Sequence, residues 1–247
     1  MRDRSIGIFD SGVGGLNVLK ACLDIMPSEN YIYLSDAARM PYGTKSGAQI
    51  TAAALDCADK LVCLDCKAIA VACNTATAVA IDRIRDKYPS VIVVGLEPAI
   101  KPCLAELGKN GYAVALVTEA TGRSEKFKRL AATGNGKIVP VVAPSLAKAI
   151  EDNFGDFNAV RDYLFELLSP YRDAESVILG CSHYSYIAPL IKRFYANDIK
   201  IYDGASGEAT RLKYCLALAD MLGNGKGNGS VRFIKTVKTP LEFKRGK

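Results

Sequence analysis

Residues 68–75 read AIAVACNT, and residues 176–183 read SVILGCSH. Each opens as a short apolar run containing β-branched residues, the pattern of a strand buried on both faces. Each run breaks at a cysteine followed by small polar residues, Asn74-Thr75 in one and Ser182-His183 in the other. Such residues cap helices, so both stretches predict a strand, a cysteine just past its end, and then a helix. Sliding the sequence by 108 residues lays Cys73 on Cys181. The same shift lays 6–9 on 114–117, 31–34 on 139–142, 68–72 on 176–180 and 91–94 on 199–202. An internal repeat of this length sets the whole fold.

Outward from these stretches the chain keeps one rhythm. Strand candidates at 6–9, 31–34, 68–72, 91–94, 112–117, 139–142, 176–179 and 199–202 alternate with helical patterns such as 77–88 and 206–222. That alternation predicts βαβ units and mostly parallel sheets. A linker-like GNGKGNGS (223–230) precedes a late strand candidate at 231–237, expected at a sheet edge. The fold class is therefore α/β, with two pseudo-symmetric domains facing each other. The first is expected over 1–95 and regains 208–247; the second covers 96–207. Parallel sheets place sites beyond the carboxyl ends of their strands, so loops from both halves should meet in one cleft.

Composition excludes several classes. The 247 residues are 49% hydrophobic and 23% charged, too apolar for a disordered chain. Eight cysteines are far too sparse for a disulfide scaffold, and most lie inside apolar runs, as reduced cytoplasmic cysteines do. No targeting segment is visible at the start, and no apolar run reaches the ~20 residues that span a bilayer. The net charge of +6 is unevenly placed. Arg232, Lys235, Lys238, Lys244, Arg245 and Lys247 against Glu242 make the tail +5, leaving +1 for residues 1–230. The body thus has no basic surplus of the kind a nucleic-acid partner calls for, and the tail reads as a solvated charged end.

The strand ends carry the chemistry. After the first strand comes Asp10-Ser11-Gly12-Val13-Gly14-Gly15, but Asn17 breaks G-x-G-x-x-G and no G-K-[ST] occurs, so neither nucleotide loop is present. Cys63-x-x-Cys66 has no second ligand pair and reads as core packing; no metal site is expected. A cysteine between a strand end and a helix start faces unpaired N–H groups and a positive dipole end, which favour the thiolate. One such cysteine alone reads as a small buried hydrophobe. Two at repeat-related positions, with the chain's only histidine two residues after the second, read as a functional pair. Tyr42 and Gly43 lie in the loop after the second strand, and Glu151 is the repeat counterpart of Gly43, within one residue of that of Tyr42.

A cleft with one thiol from each half suits a particular reaction. Inverting a carbon that bears an acidic hydrogen requires removing a proton from one face and delivering one to the other. One group must be thiolate and the other thiol, exchanging roles when the opposite enantiomer binds. Thiols titrate close enough to neutrality to reach both states. This chemistry points to a cofactor-independent racemase or epimerase and leaves the substrate open.

Five segments carry a resemblance: IGIFDSGVGG (6–15), SDAARMPYGTKS (35–46), VACNTATA (71–78), VTEATGRS (117–124) and LGCSHY (179–184). Together they make the chain similar to the bacterial glutamate racemases of the aspartate/glutamate racemase superfamily. The resemblance implies two flavodoxin-like domains with the site between them, no pyridoxal phosphate or metal, a cytoplasmic homodimer, and D-glutamate supplied for peptidoglycan. It implies Cys73 as base for D-glutamate and Cys181 as base for L-glutamate. Asp10, His183 and Glu151 would assist the thiols or the substrate ammonium. Ser11, Tyr42, Gly43, Asn74, Thr75, Thr118, Thr121 and Ser182 would contact the substrate, together with Asp10 and His183. The chain departs from the family's pattern at Ser182 (usually Thr), at Ser185 (usually Pro) and at Ala143, where a Cys-Pro pair usually begins. The stretch Leu96-Glu97-Pro98 is also one residue short.

Other readings remain open from sequence alone: a racemase of aspartate or a related amino acid, a cysteine hydrolase using Cys181 with His183, or a binding protein acting through its basic tail. The hydrolase would leave Cys73 idle.

Overall fold

The computed structural model describes residues 2–196, 198–223 and 229–237. Most of the linker-like stretch, and Lys238, Lys244, Arg245 and Lys247 of the basic tail, lie outside the described residues. Among the described residues, nine strands form two parallel sheets. The first holds β1 (Ile6–Asp10), β2 (Tyr31–Ser35), β3 (Ala68–Val71), β4 (Ile92–Gly95) and β9 (Val231–Lys235), in the order β4-β3-β1-β2-β9. The second holds β5 (Ala113–Val117), β6 (Ile138–Val142), β7 (Ser176–Gly180) and β8 (Lys200–Tyr202), in the order β6-β5-β7-β8. Under the 108-residue shift β1–β4 map onto β5–β8, and the order 2-1-3-4 recurs in both sheets. That is the flavodoxin-like order, whose switch point lies between the first and third strands. The late strand pairs in parallel with β2 at the sheet edge, as its pattern predicts.

Among the described residues, ten α-helices cover these sheets: α1 (Leu16–Ile25), α2 (Gly47–Cys63), α3 (Asn74–Lys87), α4 (Ile100–Glu106), α5 (Glu119–Arg123), α6 (Glu125–Ala132), α7 (Leu146–Asp152), α8 (Arg161–Leu168), α9 (Ala188–Phe194) and α10 (Ala205–Leu218). Burial on both faces explains why the inner strands β1, β3, β5 and β7 read as apolar runs. Along β3, Ala68, Ala70 and Ala72 face the core under α1 and α10, while Ile69, Val71 and Cys73 face the core under α2 and α3. Along β7, Val177, Leu179 and Cys181 share the core under α7, α8 and α9. Each cysteine thus continues the alternation of its strand, and their equivalent places in the repeat put both on matching faces. Alanines on the α1 side of β3 let that helix pair approach; the opposite face takes the larger side chains.

The chain crosses between the sheets twice, between β4 and α4 and between β8 and α10. Ile100 and Cys103 of α4 pack on the second sheet, whereas Ala205, Ala209, Leu212 and Leu216 of α10 pack with α1 on the first. α10 therefore lies on the first sheet from Ala205 onward. The crossings touch: a Cβ on Gly204 would come within 2.3 Å of the Glu97 carbonyl oxygen, so only glycine fits there. Among the described residues no helix is long and apolar enough to cross a membrane.

Candidate active site

The carboxyl ends of β1 and β3 form one wall, at the switch point of the first sheet. Asp10, the last residue of β1, is fully buried; its Oδ2 accepts from the Gly12 N–H at 2.9 Å and holds the start of the glycine loop. Tyr33 fixes the same turn by donating to the Gly12 carbonyl at 2.9 Å. Cys73 stands at the N-terminus of α3, with its thiol 3.8 Å from the Ser11 hydroxyl. Asn74 is buried beside it, donating through Nδ2 to the Leu96 carbonyl at 3.2 Å, while its Oδ1 has no partner. A buried acceptor left unpaired costs about 1–3 kcal/mol, so this atom is poised for a donor from outside the chain.

The second wall comes from the ends of β5 and β7 and from α7. Cys181 begins a 3₁₀ turn over Ser182–Ile187. The Ser182 hydroxyl donates to Asp10 Oδ1 at 3.1 Å, so the second half reaches across to the first. His183 Nε2 donates to Glu151 Oε2 at 2.6 Å, and that oxygen also accepts from the Val13 N–H at 3.1 Å. Thr75 from the first half meets Thr118 at 2.9 Å and Thr121 at 3.3 Å, and Thr118 donates to Thr121 at 3.0 Å. These hydroxyls can turn toward a carboxylate. The Gly43 carbonyl accepts from the Ala120 N–H at 2.9 Å, and a Cβ on Gly43 would meet the Thr118 side chain at 2.9 Å.

The two thiols sit in different fields. Burial, reinforced by the Asp10 charge, pushes Cys73 well above the usual thiol range, against the pull of the Ala76 N–H and the Ser11 hydroxyl. Burial works to strip His183 of its proton, but the contacts with Cys181 and Glu151 outweigh it and raise the imidazole to about 10. Glu151 resists its own burial because the His183 hydrogen bond and the Val13 N–H hold it below the usual carboxylate range. The result is a neutral thiol on one wall, and an imidazolium–carboxylate pair beside the sulfur on the other. The site is also tight. Cys73 and Cys181 are 3% and 6% exposed, and the cavity lined by Asn74, Cys181 and Ser182 is about 10 Å³. That is room for about one water molecule.

Most of the predicted site residues come together here: Asp10, Ser11, Gly43, Cys73, Asn74, Thr75, Thr118, Thr121, Glu151, Cys181, Ser182 and His183. Tyr42 is placed differently. Its ring lies in the first-sheet core and its hydroxyl donates to Asp36 Oδ2 at 2.5 Å, within a network that includes Arg39 and Asp56. Sequence reasoning missed Tyr186 and Asn17. Tyr186 donates to the Val13 carbonyl at 2.8 Å, and Asn17 Nδ2 reaches the Ser182 carbonyl at 3.5 Å. The signal for Tyr186 was the spacing: in a 3₁₀ turn residues i and i+3 eclipse, which sets Tyr186 on the face of His183. Cys63 and Cys66 take no part in the site. Among the described residues, no three His, Cys, Asp or Glu side chains are grouped to hold a metal.

Two parallel sheets meeting at their switch points over a pair of thiols define a class of protein. Residues 16–209 match the Asp/Glu/hydantoin racemase family, and the chain belongs to it. Within that family it groups with glutamate racemases. It is 35% identical over 242 residues to the glutamate racemase of Clostridium perfringens, covering 96% of this chain and 93% of that one. A glutamate racemase isoform from Bacillus anthracis superposes with a TM-score of 0.83 at 28% identity, covering 96% of this chain and 90% of that one. The enzyme from Francisella tularensis, solved in complex with D-glutamate, gives 0.78 at 33% identity, covering 98% and 91%.

Proposed function

We propose that this chain interconverts L- and D-glutamate by moving the α-proton between Cys73 and Cys181, without a cofactor. The observation that carries the reading is the pairing of buried thiols at equivalent strand ends of two facing sheets, each with its own acid/base neighbours. One sulfur, as thiolate, takes the α-proton from one face; the other, as thiol, returns a proton to the opposite face. Cys73 serves as base for D-glutamate and Cys181 for L-glutamate. Asp10 faces Cys73, and His183, held by Glu151, faces Cys181; these assist the thiols. The unpaired Oδ1 of Asn74 suits the substrate ammonium. The hydroxyls of Ser11, Thr75, Thr118, Thr121 and Ser182 suit its carboxylates, in a site almost free of Lys and Arg.

The same proposal covers the setting: a cytoplasmic homodimer of two-domain subunits, divided near residues 95 and 204, that supplies D-glutamate for peptidoglycan. The direct test is purified protein with L-glutamate and no added cofactor, followed by circular dichroism. Decay of the signal to zero supports the reading; a constant signal from folded protein, with either enantiomer, contradicts it. Cys73→Ser separates racemase from hydrolase, since a Cys181–His183 hydrolase would keep its activity. Running L-aspartate in parallel tests the sibling specificity.

A further inference from the structure

We propose that Tyr186 is a positioning residue that latches the second half onto the glycine loop of the first, closing the cleft over both thiols. This rests on the proposed racemisation only for the placement of substrate between the thiols. Val13, at the tip of the loop, is gripped from both sides by the second half. Its N–H donates to Glu151 at 3.1 Å, and its carbonyl accepts from the Tyr186 hydroxyl at 2.8 Å. The Tyr186 ring is braced by Phe154, edge-on at 5.0 Å between centroids, and by Phe157, stacked at 6.0 Å. A braced ring loses little further freedom on making its hydrogen bond, so the bond favours the closed arrangement.

The grip matters because this loop is the seam of the site. A Cβ on Gly14 would lie 2.5 Å from the Ser182 hydroxyl and 2.7 Å from the His183 backbone nitrogen, so the seam is already in van der Waals contact. With the thiols 3% and 6% exposed and a cavity of about 10 Å³ beside Cys181, nothing the size of an amino acid enters without parting it. Parting it breaks both Val13 bonds. Glu151 also holds His183, so altering it mixes closure with chemistry. Among the described residues the Tyr186 hydroxyl has the Val13 carbonyl as its hydrogen-bond partner, so altering it tests closure without breaking the His183–Glu151 bond.

The test is Tyr186→Phe, which keeps the ring and its stacking. Iodoacetamide labelling is read peptide by peptide by mass spectrometry. Exposed Cys63 serves as the reference, and buried Cys22 and Cys103 as reporters of general loosening. Losing one net hydrogen bond predicts roughly threefold to tenfold faster labelling of Cys73 and Cys181, with Cys22, Cys63 and Cys103 unchanged. Unchanged labelling at Cys73 and Cys181 overturns the proposal, as does faster labelling of Cys22 and Cys103 in step with them. Labelling reads access whether or not glutamate turns over, so failure of the latch and failure of the racemase reading are distinguishable.

Discussion

Replacing Glu151 by Gln keeps the shape of the side chain and removes its charge. In the parent, one oxygen accepts from His183 Nε2 at 2.6 Å and from the Val13 N–H at 3.1 Å. The glutamine amide oxygen can keep one neutral bond of this kind. A charge-assisted hydrogen bond contributes about 1.5–3 kcal/mol and a neutral one about 0.5–1.5 kcal/mol, so the exchange costs about 1–2 kcal/mol. At ~1.4 kcal/mol per factor of ten, kcat/KM should fall roughly 5- to 30-fold at neutral pH. Burial then has less to oppose it at His183. The imidazolium, held to about 10 in the parent, loses its proton at lower pH, and the alkaline limb of the rate profile shifts down. The assay is polarimetric, from both enantiomers over a range of pH. Because L- and D-glutamate have equal free energies, kcat/KM must fall by the same factor in both directions, an internal control on the measurement. Activity within twofold of the parent, with an unmoved alkaline limb, would refute the role given to the pair.

Two further outcomes concern stability. Lys67 is fully buried, with Nζ bonded to Glu29 Oε2 at 2.5 Å, the Arg2 carbonyl at 2.6 Å and the Met221 carbonyl at 2.8 Å. Lys67→Met strands the Glu29 charge and should cost about 3–5 kcal/mol in urea unfolding, whereas Lys67→Met with Glu29→Gln should recover part of it. A double variant no more stable than the single one would contradict this account. The alkaline side follows from linkage. Folding raises His183 from 6.5 to about 10 and Cys22, Cys57 and Cys66 from 9.0 to about 12. Stability from such groups is complete below the unfolded pKa and is lost as pH rises through the folded one. The thermal midpoint should therefore fall steadily between pH 7 and the alkaline range; a flat profile would contradict the assignments.

Much of this architecture was legible because local pattern and burial agree. Strands covered on both faces must be apolar, so β1, β2, β3, β5 and β7 stand out as runs, and the cysteines mark the register of the repeat to within a residue. What stayed hidden depends on contacts made across long separations. Ala205 opens its helix on the first sheet because α10 packs on α1, which nothing near residue 205 announces. Lys67 and Glu29 look like ordinary surface charges until the chain start and residues 221–223 close over them. The Tyr42 hydroxyl turns toward Asp36 because that buried carboxylate needs a donor, and loop sequence does not reveal the direction. Tyr186 bonds a carbonyl 173 residues away, a pairing that exists only once the two halves meet.

Two thiols acting from opposite faces of one carbon are the centre of the account. Their most direct test is a short incubation of protiated L-glutamate with the protein in D2O, with the isotope content of each enantiomer measured before either is appreciably consumed. Two separate bases predict deuterium at the α-carbon of the newly formed D-glutamate, while the remaining L-glutamate keeps its protium. Newly formed D-glutamate that retains the original protium would mean that a single group carries the proton across, and would contradict the assignment of Cys73 and Cys181 as a pair.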